Sequence, residues 1–179
     1  MIFVIGNLRS GTSRIAESLH QDCNVHMGRA FMAQPVGPNQ RPDWEEITLA
    51  TKANLGDVTR LWLDEYAALR DKWLSEARKS MTIDVPTWGA KCCALMANIA
   101  AIPNDALVIY ANRPLHEAKS SAKRWMRFHK PAISVAINEL QGQLAKHADE
   151  AKSRSNLVID YATSMDKVRK RLRDAIGVK

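Results

Sequence analysis

The first thirteen residues join an apolar run to a glycine-punctuated polar loop, and together they could bind phosphate. Residues 1–5 (Met-Ile-Phe-Val-Ile) have the pattern of a short buried strand, and residues 6–13 (Gly-Asn-Leu-Arg-Ser-Gly-Thr-Ser) follow directly. Glycines let the backbone approach an anion closely, and the N–H groups at the start of a following helix point towards it. This segment therefore predicts a phosphate-binding loop between a strand and a helix.

The loop departs from the common nucleotide-binding motif at one position. Its spacing fits GxxxxGK[ST], but Thr12 stands where the motif has a lysine. Because Arg9 is the cationic residue inside the loop, we expect Arg9 to carry the missing charge. The residues predicted to bind phosphate, through backbone amides or hydroxyls, are Arg9, Ser10, Gly11, Thr12 and Ser13.

A second polar segment follows the clearest of the later strands. Residues 106–111 (Ala-Leu-Val-Ile-Tyr-Ala) are apolar, and Arg113 comes two positions after them. Ligands bind outside the carboxyl ends of strands in open α/β sheets, which makes Arg113 a candidate anion ligand. Basic residues also recur at near-helical spacing over residues 119–130, so a capped helix with a solvated basic face is the alternative interpretation.

Strand and helix patterns alternate along the chain, and this predicts an α/β fold. Predicted strands cover residues 2–5, 87–92, 106–111 and 156–161. Predicted helices cover residues 12–21, 44–79, 114–128, 131–153 and 163–176, and the second of these has a break at residues 56–57. A further short helix follows the strand at 87–92 and ends at residue 102. A long loop covers residues 22–43. We expect a three-layer sandwich with a mainly parallel central sheet, similar to the P-loop NTPases.

Length and composition indicate a single globular domain over residues 1–179. The formal charge is +7 and the pI is near 9.5, which favours an anionic partner, either a nucleotide or a nucleic acid. No apolar run approaches the roughly 18 residues of a membrane span. The three cysteines lack zinc-type spacing. We therefore predict a cytoplasmic protein with no membrane partner and no metal site.

The two polar segments together resemble the sulfotransferases that use 3′-phosphoadenosine 5′-phosphosulfate (PAPS), particularly small bacterial and phage-type members. Residues 9–13 are similar to the family's 5′-phosphosulfate loop, and Arg113 with Ser121 eight residues later is similar to its 3′-phosphate motif. Weaker similarities lie at residues 25–28, 39–46, 88–91 and 157–161. One departure is that Cys92 and Cys93 follow Lys91 where the family has Asp-Pro.

The resemblance implies a sulfotransferase that moves a sulfuryl group from PAPS to a hydroxyl or amine of an unidentified small-molecule or glycan acceptor. It assigns the nucleotide to the loop, Arg113 and Ser121, and it places Arg9 and Lys91 close to the transferring group. The chain is short for this family, so a second subunit in a homodimer could supply part of the acceptor site.

The resemblance also suggests a base that takes the acceptor's proton. Glu45 is the first candidate, because it matches a glutamate of a family stretch and stands where the long loop meets a helix. Glu46, Asp43, His20 and His26 are the alternatives.

Two other functions stay open. A P-loop nucleotide or small-molecule kinase would use the same loop, and residues 157–160 (Leu-Val-Ile-Asp) have the pattern of a strand that ends in a Mg²⁺-organising aspartate. The missing lysine at position 12 argues against that function.

A nucleic-acid-binding module would use the basic run 167–173. A solvated helix face also explains these charges, so nucleic acid is not the expected partner.

Overall fold

The computed structural model describes residues 1–27, 87–91, 93–102, 104–126 and 131–177. The predicted helical segment 44–79 and most of the predicted loop 22–43 lie outside the described residues.

Five strands and six helices make up the described part of the chain. In chain order they are β1 (Ile2–Gly6), α1 (Thr12–Asp22), β2 (Val25–Met27), β3 (Thr87–Lys91), a 3₁₀ helix (Cys93–Ala101), β4 (Leu107–Asn112), α2 (Leu115–Met126), α3 (Pro131–Ala145), α4 (Ala148–Ser153), β5 (Leu157–Asp160) and α5 (Met165–Ile176). None of the helices in these ranges is both long enough and apolar enough to cross a lipid bilayer.

The five strands form one sheet in the order β2-β3-β1-β4-β5. Every strand pair is parallel, and β1 lies at the centre between β3 and β4. The carboxyl ends of all the strands therefore meet at one edge of the sheet. That edge carries the loop after β1 together with the residues at the ends of β3, β4 and β5.

Helices cover both faces of this sheet. Along β1, Phe3 and Ile5 face a core cluster built with the 3₁₀ helix, α3 and α4. Ile2 and Val4 face a second cluster built with α1 and α5. All four side chains are buried, as expected of a central parallel strand with both faces covered. The predicted three-layer α/β sandwich with a parallel sheet is thus confirmed.

Several predicted boundaries are wrong, and each has a physical reason. Strand β2 lies inside the segment predicted as a loop, because it has only three residues and is held by long-range pairing to β3. The helix predicted over residues 131–153 is two helices, since Lys146 N–H and His147 N–H bond carbonyls three residues back and end α3. Helix α5 begins at Met165 after Ser164, which makes no side-chain cap hydrogen bond, so the predicted start at residue 163 is two residues early. The predicted helix end at Gly177 is confirmed, with φ 71°.

Cys23, just after α1, provides a simple test of this packing. Burial raises the pKa of the Cys23 thiol, against the lowering effect of Arg173 and with a further increase from Asp22. We expect iodoacetamide at mildly alkaline pH to alkylate Cys23 at least about tenfold more slowly in the folded protein than in guanidinium chloride. Mass spectrometry of the Cys23 peptide measures both rates, and equal rates would contradict the buried position.

Candidate phosphate-binding site

The residues between β1 and α1 form a tight loop with the geometry of an anion-binding site. Arg9 and Gly11 have left-handed backbone conformations, with φ of 66° and 99°. Ser10 N–H donates to the Asn7 carbonyl at 3.1 Å, and the first bond within α1 runs from Ile15 N–H to the Gly11 carbonyl at 3.3 Å. No side chain caps this helix end. The N–H groups of the first turn of α1 are therefore oriented to receive an anion.

Two side chains distant in sequence, Gln141 on α3 and Arg113 just after β4, fix the orientation of the loop's peptide groups. Gln141 Nε2 donates to the Leu8 carbonyl at 3.2 Å, and Arg113 Nη1 donates to the Arg9 carbonyl at 3.0 Å. The C=O and the following N–H of a trans peptide point in opposite directions. These two hydrogen bonds therefore also fix the direction of the N–H groups that follow each carbonyl.

Lys91 brings a buried ammonium group to the loop from a neighbouring strand. It is the last residue of β3, pairs with Val4 of β1, and is 1% exposed. Its Nζ donates to Ser13 Oγ at 3.4 Å. A lysine charge thus lies at the start of α1 although the loop has no lysine at position 12. The prediction that Lys91 lies close to a transferring group stays a prediction.

The Thr12 side chain is directed towards the 3₁₀ helix. Thr12 is buried, and its Oγ1 lies 4.0 Å from Cys93 Sγ. The Thr12 hydroxyl is thus engaged with the 3₁₀ helix, which leaves its backbone N–H, in the first turn of α1, as the group of Thr12 that an anion would contact. The Ser13 side chain is exposed, whereas Ser10 is buried in the loop.

Arg113 lies after the carboxyl end of β4, as predicted, but its guanidinium supports the loop. Besides the bond to the Arg9 carbonyl, its Cζ lies 3.7 Å from the centroid of the Tyr161 ring. Its Nε lies 3.4 Å from Glu117 Oε2, and its side chain is 9% exposed. Arg14 Cζ lies 4.8 Å from the same Tyr161 ring. The two arginines and the ring form a cationic–aromatic cluster beside the start of α1.

We expect Arg113→Lys to destabilise the protein by about 1–2 kcal/mol, because lysine cannot both stack on Tyr161 and keep the bond to the Arg9 carbonyl. Urea unfolding measures this change. The matched control is Arg154→Lys, since Arg154 also pairs with a glutamate four residues away but is 53% exposed. That control is expected to change stability by less than about 0.5 kcal/mol. Equal effects of the two substitutions would contradict the supporting role of Arg113.

Of the other predicted site residues, the structure describes the side chains of Ser121 and His20, and neither is bonded to the loop. Ser121 lies two turns into α2 and is partly buried, and no contact among the described residues links it to the loop. Glu45, with the alternatives Asp43 and Glu46, lies outside the described residues. His20 is exposed on α1, and its Nδ1 lies 3.2 Å from the Val25 carbonyl.

Sequence reasoning missed two residues at the site. Tyr161 follows the carboxyl end of β5, and the rule that found Arg113 could also have found it. Gln141 stands between Leu140 and Leu144 on the predicted inward face of a helix, where a polar residue is a signal of hydrogen bonding.

Two arginines of the basic run on α5 are engaged within the chain. Arg169 Nε bonds Asp22 Oδ2 at 2.9 Å and its Nη1 bonds Asp166 Oδ1 at 3.3 Å, while Arg173 Nε donates to the Asp22 carbonyl at 3.4 Å. These contacts favour the interpretation of a solvated, paired helix face over a nucleic-acid-binding surface.

Comparison with solved structures identifies the fold. A shikimate kinase from Acinetobacter baumannii, in complex with shikimate, superposes with a TM-score of 0.53 and 12% sequence identity over 99% of this chain and 93% of its own. A deoxyadenosine kinase from M. mycoides, with dCMP and dCDP bound, gives a TM-score of 0.53 and 14% identity over 99% of both chains. The chain therefore has a P-loop-like α/β fold that these kinases share.

These similarities overturn the predicted sulfotransferase function. The two solved structures named above, which the chain matches along nearly its whole length, are kinases and not sulfotransferases. No model of a protein family and no curated protein matches the chain. The resemblance of single motifs to the sulfotransferase family stays a prediction, and so does the assignment of a 3′-phosphate to Arg113 and Ser121.

Proposed function

We propose that this protein is a phosphotransferase that binds a nucleoside triphosphate at the loop between β1 and α1 and passes its terminal phosphoryl group to a small molecule. The observation that carries the proposal is the loop itself, with N–H groups at the start of α1 and the Lys91 ammonium 3.4 Å from Ser13 Oγ. The fold supports it, since the solved structures of similar fold are named for kinases of shikimate and deoxyadenosine.

Phosphoryl transfer needs positioning and compensation of charge more than covalent chemistry by the protein. Backbone N–H groups at the start of α1 would hold the phosphate oxygens, and they do so without reorganisation because the loop is fixed by its outer hydrogen bonds. Lys91 and Arg9 would stabilise the negative charge on the transferring group. A buried ammonium such as Lys91 interacts more strongly with an anion than an exposed one.

The residues around Ser13 do not fit a resident metal ion. In the GxxxxGK[ST] motif the hydroxyl at this position contacts Mg²⁺. Here the Lys91 ammonium lies 3.4 Å from that hydroxyl, and a cation there disfavours a second cation. No step of the proposed reaction is therefore assigned to a protein-bound metal. Magnesium that arrives chelated by the nucleotide belongs to the substrate.

The proposed acceptor is a small molecule with a hydroxyl group, by analogy with the two kinases named above. Nothing in the comparisons supports the glycan acceptor or the homodimer suggested by the sulfotransferase resemblance.

Transfer of label from [γ-³²P]ATP tests the proposed function. The protein is incubated with pooled polyols, sugars, nucleosides and hydroxy acids, and the products are separated by thin-layer chromatography. We expect a labelled product that depends on native protein and on one pool. If neither a pool nor the low-molecular-weight fraction of a cell extract yields a labelled product, the proposal is wrong.

A further inference from the structure

Gln141 is a fully buried polar residue on an otherwise apolar helix face. It lies near the C-terminal end of α3, at 0% exposure, beside the buried residues Ile137, Leu140 and Leu144. Burying an amide is unfavourable unless hydrogen bonds replace those it made to water. Its Oε1 has no hydrogen-bond partner in the described structure. A buried glutamine with an unsatisfied oxygen contributes little to the stability of the core, so its presence at this position needs another explanation.

The contacts of Gln141 lead to the phosphate-binding loop, 133 residues away. Its Nε2 donates to the Leu8 carbonyl at 3.2 Å. In return, Asn7 Nδ2 donates to the Gln141 carbonyl at 3.4 Å, and Asn7 Oδ1 accepts from Leu8 N–H at 2.8 Å. Asn7 is itself 6% exposed. We name Asn7 and Gln141 together the loop clasp.

The loop clasp and Arg113 hold two consecutive peptide groups of the loop. Gln141 holds the Leu8 carbonyl, and Arg113 holds the Arg9 carbonyl at 3.0 Å. The left-handed conformation of Arg9, φ 66°, lies between these two fixed carbonyls. Non-glycine residues adopt this conformation at a free-energy cost, so it persists only where surrounding contacts enforce it.

We propose that Gln141 is a positioning residue for phosphate binding: through the loop clasp it fixes the Leu8 carbonyl and thereby the orientation of the peptide group between Leu8 and Arg9 in the phosphate-binding loop. Gln141 itself does not touch the reacting atoms. The inference rests on the proposed function only in that phosphate is the ligand of the loop; the identity of the nucleotide and of the acceptor does not enter.

The test replaces Gln141 with methionine, which has similar length and volume but no amide. Gln143→Met is the matched control, because it is the same substitution at an exposed position of the same helix. Inorganic tripolyphosphate is the probe for binding by calorimetry, since it reports on the loop alone. We expect Gln141→Met to weaken tripolyphosphate binding about five- to tenfold, the worth of one hydrogen bond, and Gln143→Met to leave it unchanged.

Amide hydrogen exchange gives a second readout. If Gln141 only stabilised the fold, its replacement would not speed exchange in the loop alone. We expect faster exchange of the Leu8 and Ser10 amides in Gln141→Met, with exchange in β4 and β5 unchanged. Should Gln141→Met not fold, Gln141→Leu is measured in the same way. Unchanged tripolyphosphate affinity together with unchanged loop exchange in a folded variant would overturn the proposal.

The two proposals fail separately. If the wild-type protein binds tripolyphosphate but transfers no phosphoryl group from ATP, the phosphotransferase function is wrong. The tripolyphosphate affinity of Gln141→Met still decides whether the loop clasp positions the phosphate-binding loop. If ATP is a substrate and Gln141→Met binds and exchanges like the wild type, the clasp is wrong and the function stands.

Discussion

Replacing Lys91 with methionine is expected to lower the turnover of phosphoryl transfer about 10²–10³-fold, the usual effect of removing one group that stabilises developing charge. Methionine keeps the unbranched stem of the lysine and removes only the ammonium. Because Lys91 is 1% exposed and its Nζ lies 3.4 Å from Ser13 Oγ, the substitution removes a buried charge from the start of α1. The loss should fall on kcat more than on KM, since the charge develops during transfer.

The control for this variant is Lys123→Met, which removes a lysine that is exposed on α2. We expect its turnover to equal that of the wild type. Circular dichroism and thermal unfolding show that each variant is folded before its steady-state kinetics are compared. A folded Lys91→Met protein with wild-type kcat would remove Lys91 from the mechanism and leave Arg9 as the cation of the loop.

Replacing Gly6 with alanine is expected to destabilise the protein by about 3 kcal/mol or more and to abolish phosphate binding. An added Cβ would lie 2.6 Å from Ser10 Oγ and 2.7 Å from the Ala111 carbonyl oxygen. The second neighbour is backbone of β4 and cannot move without disturbing the sheet. Gly6 also has φ of 153°, which L-residues rarely adopt.

Gly142→Ala is the matched control, because the same methyl group meets nothing within 4 Å at this position of α3. Alanine is the better helix former, so this control should gain about 0.5–1 kcal/mol. Urea unfolding of both variants should therefore give changes of opposite sign. A Gly6→Ala protein as stable as the wild type would contradict the close approach of β1, the loop and β4.

Much of the fold could be predicted because its signals are local. The runs that become β1, β4 and β5 are apolar and short, Gly6 and Gly11 stand at the two ends of the loop after β1, and Gly177 marks the end of α5. Strand β2 was missed because three residues carry too little pattern and its pairing partner is distant in sequence. The break between α3 and α4 depends on two backbone hydrogen bonds, from the Lys146 and His147 N–H groups, that the composition of the segment does not reveal.

The site was predictable in its location but not in its internal contacts. Lys91 and Arg113 could be placed by one rule, that parallel strands bring their carboxyl ends to the same edge. That Arg113 bonds the Arg9 carbonyl and stacks on Tyr161 depends on side-chain directions at distant positions. The donor was predicted wrongly for a chemical reason: N–H groups at a helix start hold a phosphate and a phosphosulfate alike, so the loop residues alone do not distinguish a kinase from a sulfotransferase.

The central claim is that the loop between β1 and α1 binds the phosphates of a nucleoside triphosphate for transfer. Isothermal titration calorimetry with Mg·ATP and with 3′,5′-bisphosphoadenosine, under identical conditions, tests it most directly. We predict that Mg·ATP binds at least about tenfold more tightly, a difference of about 1.4 kcal/mol. Binding of 3′,5′-bisphosphoadenosine without measurable binding of Mg·ATP would contradict the claim.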